Sequence, residues 1–80
     1  MQIPVIKAII EKYTIEELIA AEIAILNEEI PVITIEGKDE GEQLTHILAA
    51  LWCKHEIQKR GIATAIAIRE YGIKVRTSIS

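Results

Sequence analysis

A mainly α fold, a small bundle of three to four helices with one short extended segment at about residues 30–36, is predicted by three features of the 80-residue chain. Apolar residues recur at helical spacing through most of its length. Helix-start signals stand at Thr14 and Asp39, each with a glutamate three places on, at Glu17 and Glu42. The one β-branched run, Val32 to Ile35, follows Pro31, which bars a helix from continuing. Eighty residues suit one domain, 1–80, with no room for a linker and a second core.

The first helix is expected over Gln2 to Lys12. Pro4 is tolerated in its first turn, Ile3, Ile6, Ile10 and Tyr13 line one side, and Lys7 and Glu11 form an i,i+4 pair. Thr14 and Glu17 then make a capping box for a second helix from about Ile15 to Glu28, with Tyr13 as a staple against Leu18. Ile15, Leu18, Ile19, Ile23, Ile25 and Leu26 cover a wide arc of it, and Glu22 falls inside that arc. A carboxylate there either reaches water or a cation at a seam, or is buried and available for proton transfer or metal binding.

The extended segment cannot satisfy a β ladder alone, so it pairs with a symmetry mate, pairs within the chain, or lies over the core as a connector. After Gly61, a last helix is predicted from Thr64, with Ala65, Ile68, Gly72, Val75 and Ile79 on one face. The alternation of Ile73, Val75, Thr77 and Ile79 with polar residues is the competing strand signal over the same stretch.

The longest element, Asp39 to Gly61, is the expected spine. Asp39 caps its start, Lys54, Lys59 and Arg60 complement the negative end of its dipole, and Gly61 closes it. Leu44, Leu48, Leu51, His55 and Gln58, with Ile47 alongside, form the predicted core face. Almost opposite run His46, Ala49, Ala50, Cys53 and Ile57, a stripe of small and apolar residues. A chain this short buries only about 60 to 65% of its unfolded surface. The second stripe is therefore expected to be covered by another subunit, with the terminal helices of the same chain as the alternative.

Composition narrows the function classes. The core is aliphatic, with no Phe and only three aromatic residues, so stacking platforms for single-stranded nucleic acid are scarce. A single cysteine excludes an intrachain disulfide or a multi-cysteine zinc knuckle and makes the cytoplasm the default location. Residues 1–13 read as neither signal peptide nor anchor, and no membrane association is expected. Charge is divided: three lysines against ten acids through Cys53, net −7, and six bases against two acids from Lys54 onward, net +4. The halves attract within a monomer or across a dimer; a basic patch of Lys54, Lys59, Arg60, Arg69, Lys74 and Arg76 for phosphate or nucleic acid is the weaker reading.

Candidate chemistry is sparse. Glu42 and His46, four apart, share a helical face and form a weak candidate metal pair, with Glu22 as a further carboxylate. Seven residues of helix put Cys53 about 10.5 Å further along, too far for one ion to bind it and His46 together. Cys53 has no neighbouring base and reads as a small buried hydrophobe, with a thiol-redox partnership as the sharper alternative. His55 is expected half-buried at the end of the leucine face, and Trp52 at an edge or interface.

The opening IPVIK (3–7), the central EGKDEGEQLTHILAALW (36–52) and the closing REYGIKVR (69–76) resemble a family of very short, uncharacterised bacterial proteins with a domain of unknown function. DEGEQLTH, Asp39 to His46, is the most distinctive part. The resemblance implies a compact helical protein and carries no activity, substrate or cofactor. The expectation is thus a small homodimeric interaction module or regulatory subunit with no cofactor, and a small metal-binding protein or enzyme using Glu42 and His46 as the alternative.

Overall fold

Local capping rules build the frame. In the computed structural model, which describes residues 2–79 and side chains as far as Thr77, the helices are α1 (Ile3–Lys12), α2 (Ile15–Leu26), α3 (Glu40–Arg60) and α4 (Thr64–Ile79). Thr14 Oγ1 accepts the Glu17 N–H at 3.1 Å and Glu17 Oε1 accepts the Thr14 N–H at 2.9 Å, closing the expected capping box. Asp39 Oδ1 takes the Glu42 N–H at 2.8 Å, while Glu42 Oε1 reaches one residue further back, to the Lys38 N–H at 3.0 Å. At the other end of α3, Gly61 lies in the left-handed region at φ 66° and gives its N–H to Ile57 O. The last segment is helix; the strand alternative for residues 64–79 is set aside.

The second helix ends two residues earlier than expected, at Leu26. The Glu29 N–H bonds Ala24 O at 2.7 Å and the Glu28 N–H bonds Ile25 O at 3.0 Å, the paired closure of a Schellman motif. Its left-handed position is filled by Glu28, at φ 60°, where glycine is the usual occupant. A glutamate there costs stability.

All three other helices pack on α3, α1 also packs on α4, and α2 meets no other helix than α3. Enclosure from three directions decides which side of α3 is interior. His46, Ile47, Ala49, Ala50 and Cys53 are fully buried and Leu51 nearly so, whereas Leu48 is 43% exposed, His55 and Gln58 are exposed and Leu44 is half-buried. The face expected to form the core is split: Ile47 and Leu51 belong to the core, Leu44 lies at its edge, and Leu48, His55 and Gln58 are on the outer side. Small residues lie inward because only they let three helices approach one axis closely. The stripe of His46, Ala49, Ala50 and Cys53 is covered by its own chain, and a second subunit has nothing to cover there.

Similar shifts occur on the flanking helices. On α1 the core residues are Val5, Ile6, Ile9 and Ile10, and Ile3 is 58% exposed. On α4 Ala67 is fully buried, with Ile68 and Tyr71 packed against the core, and Ala65 is exposed; the side chain of Ile79 lies outside the described residues.

Residues 27–39 run from α2 to α3 without helix or strand. The stretch around 30–36 is an extended connector over the core, with a period of two: Pro31, Ile33 and Ile35 turn inward, Val32, Thr34 and Glu36 outward. Its carbonyls are tied to the body, Thr34 O by the Tyr13 hydroxyl at 3.2 Å and Gly37 O by Gln43 Nε2 at 3.4 Å. Gly37 has no room for a side chain, because a Cβ would stand 2.8 Å from the Gln43 backbone nitrogen.

Glu28→Gly should stabilise the fold by about 0.5–1 kcal/mol by relieving the left-handed conformation. The measurement is the urea midpoint at constant m-value; an unchanged or lower midpoint would show that Glu28 is not under strain.

Candidate functional site

His46 sits at the most buried point of α3. Its Nδ1 stands 2.8 Å from Glu36 O and its Nε2 3.1 Å from the backbone nitrogen of Gln2. An amide N–H can only donate, so Nε2 accepts and Nδ1 carries the proton, donating it to the carbonyl. The ring is the neutral Nδ1–H tautomer and both nitrogens are engaged. It pins the start of α1 and the end of the connector to the middle of α3, and offers no lone pair to a metal.

The partner proposed for it is committed elsewhere. Glu42 accepts from Lys38 at the N-terminus of α3. No group of three or more His, Cys, Asp or Glu that could hold a metal ion occurs among the described residues. Glu22 is half-buried on the rim of α2, beside exposed Ile19, Ile23 and Leu26.

Cys53 is fully buried, and burial pushes its thiol up to about 11. Raised and enclosed, it is a poor nucleophile near neutral pH. The hydroxyl of Tyr71 is also raised, chiefly by burial and then by the charge of Cys53. Trp52, half-buried, tilts its ring at 50° against Tyr71 with centroids 5.7 Å apart, clamping α3 to α4. His55 is exposed on the outer side of α3.

The basic residues divide between structural duty and surface. Lys54 Nζ donates to Ile10 O at 3.0 Å, satisfying a carbonyl at the end of α1. Arg60 joins Glu56 at 2.9 Å and Glu70 on α4, and the Glu70 hydrogen bond chiefly raises its pKa above the ordinary guanidinium value. Arg69 and Arg76 instead border an open groove of about 570 Å³ between α1 and α4, joined by Lys7 from the other wall. The six cations therefore do not form one face.

Two surfaces remain that the sequence reading did not single out. One is this groove, floored by Ile3, Ile68 and Ile73. The other is an apolar ridge along α2, where Ile19, Ile23 and Leu26 are 39, 52 and 62% exposed; Ile30 and Val32, both almost wholly exposed, stand on the connector beside another flank of the same helix, that of Glu17, Ala20 and Ala24. The signal for the ridge was present in the width of the apolar arc on α2, which exceeds what one neighbouring helix can cover. The groove had no such signal, since it depends on how α1 and α4 come together.

The whole chain, residues 1–80, matches the model of a family of unknown function, DUF6952. It belongs to that family, in agreement with the resemblance seen in its sequence. No curated protein and no solved structure matched it.

His46→Ala should cost roughly 3 kcal/mol, because it leaves a cavity at a fully buried position and removes the partner of both the Gln2 N–H and the Glu36 carbonyl; a loss under about 1 kcal/mol in urea unfolding would refute the pinning role. For Cys53, a thiol at about 11 instead of 9.0 has roughly a hundredfold less thiolate at pH 8. Alkylation of native protein should therefore be at least that much slower than in urea, and equal rates would contradict burial. The raised thiol stabilises the fold fully below its unfolded pKa, and that contribution is lost as pH climbs towards about 11.

Proposed function

We propose that the chain is a small cytoplasmic interaction module or regulatory subunit, acting as a homodimer rather than as an enzyme. The observation that carries this reading is the unpartnered ridge of Ile19, Ile23 and Leu26. Three large apolar side chains in one line on a helix face, with Ile30 and Val32 also exposed on the connector that follows, are more than the scattered exposure normal for a small domain, and such patches mark contact surfaces.

The interface differs from the one argued from sequence alone. It does not use the small-residue stripe of α3, which is internal; it uses the outer face of α2, and the exposed residues of the 30–36 segment border another flank of that helix. The buried, unpaired Cys53 and the absence among the described residues of a helix long and apolar enough to cross a membrane support the cytoplasmic assignment. The resemblance to short bacterial proteins supports a bacterial one.

Analytical ultracentrifugation from low to high micromolar concentration should show a concentration-dependent rise in mass. Ile23→Lys should abolish it while leaving helical content unchanged, since Ile23 is half exposed. A wild-type protein that stays monomeric at high micromolar concentration would sink the reading.

A further inference from the structure

We infer that the receptor for the α2 ridge is the α1–α4 groove of a second copy, so that molecules associate ridge into groove. The inference rests on the self-association proposed above and names the surface that answers the ridge.

Charge selects this pairing. The ridge carries Glu16 and Glu22 on either side of Ile19 and Ile23, and no lysine or arginine occurs between Tyr13 and Gly37. The groove presents Lys7, Arg69 and Arg76 around Ile3, Ile68 and Ile73, with no acidic residue in its lining. Ridge against ridge would press carboxylates together, and groove against groove would crowd six cations. Only the crossed arrangement sets opposite charges around an apolar centre, and the like-charge pairings are disfavoured by the same groups.

Shape agrees with charge. Ile19, Ile23 and Leu26 stand at i, i+4 and i+7, a single line about 10 Å long on one helix face. An open trough between two helices is the form that accepts such a line. Self-occupation is ruled out by the architecture, because α2 packs on α3 only and meets neither α1 nor α4. The contact joins two unlike surfaces: a two-fold axis that permits both contacts at once gives a closed, isologous dimer, and otherwise the same contact repeats heterologously into a ring or filament.

Gly72 supplies a clean probe. It lines the groove, and a Cβ built on it meets nothing within 4 Å. Gly72→Glu would occupy the trough and set a carboxylate within helical reach of Arg69 and Arg76, three and four residues away. Replacing a mid-helix glycine also favours the helix. Loss of association in this variant could not be ascribed to unfolding, and thermal melts followed by circular dichroism would verify that.

The experiment compares the wild-type chain, Gly72→Glu and Ile23→Lys by sedimentation velocity, singly and as an equimolar mixture at high micromolar concentration. Each variant alone should be monomeric, one lacking a receptor and the other a ridge. Their mixture should recover a 1:1 heterodimer, since the Gly72→Glu chain still offers its ridge and the Ile23→Lys chain its groove. If Gly72→Glu alone assembles like the wild type, the groove assignment fails and the α2 interface stands without it. A mixture that stays monomeric while the wild type assembles also overturns the assignment. Monomeric wild-type protein removes both proposals together.

Discussion

Burying an imidazole in the middle of an aliphatic core is unfavourable unless both ring nitrogens are answered, and here both answers come from main chain far away in sequence. Gln2 supplies the donor and Glu36 the acceptor. Neither bond can form unless the start of α1, the end of the connector and the middle of α3 are all in register. Ile6, Leu18 and Ile47 contribute more apolar area than this ring does, but apolar contacts tolerate rearrangement and a two-sided hydrogen bond does not. His46 thus gives a core of interchangeable aliphatic residues one specific arrangement.

Other chemically capable side chains share this structural duty. His46, Glu42 and Lys54 each satisfy a backbone group that the fold would otherwise leave open, at the connector, before α3 and at the end of α1. Cys53 is fully enclosed in the core. In so short a chain, three polar side chains of the longest helix are engaged in closing the backbone of the segments packed around it. What is left at the surface is oil edged with charge, which suits recognition.

Helix boundaries were legible because capping is local: Thr14 with Glu17, Asp39 with Glu42, and Gly61 each act within four residues. The orientation of α3 was not. A helical wheel ranks faces by side-chain oiliness and favours Leu44, Leu48 and Leu51, but a helix enclosed from three sides is limited by how closely its neighbours can approach. That makes Ala49, Ala50 and Cys53 interior and leaves Leu48 outside. The early stop of α2 was hidden because Glu28 occupies a left-handed site with no glycine to advertise it. The ridge could be suspected from the breadth of the apolar arc on α2, whereas the groove came only from the meeting of two helices some sixty residues apart.

Because α2 leans on a single neighbour, its attachment is unlike that of the other helices. α1, α3 and α4 brace one another in a closed triangle, and losing any one side disturbs the other two. Detaching α2 opens one seam and leaves that triangle standing. Cooperativity within the molecule is therefore uneven, and amide protons of α2 exchange through a local opening less costly than global unfolding. Held by the two-residue link Tyr13–Thr14 on one side and by residues 27–39 on the other, the helix is a flap that can change its sequence or its tilt without rebuilding the remaining three-helix unit.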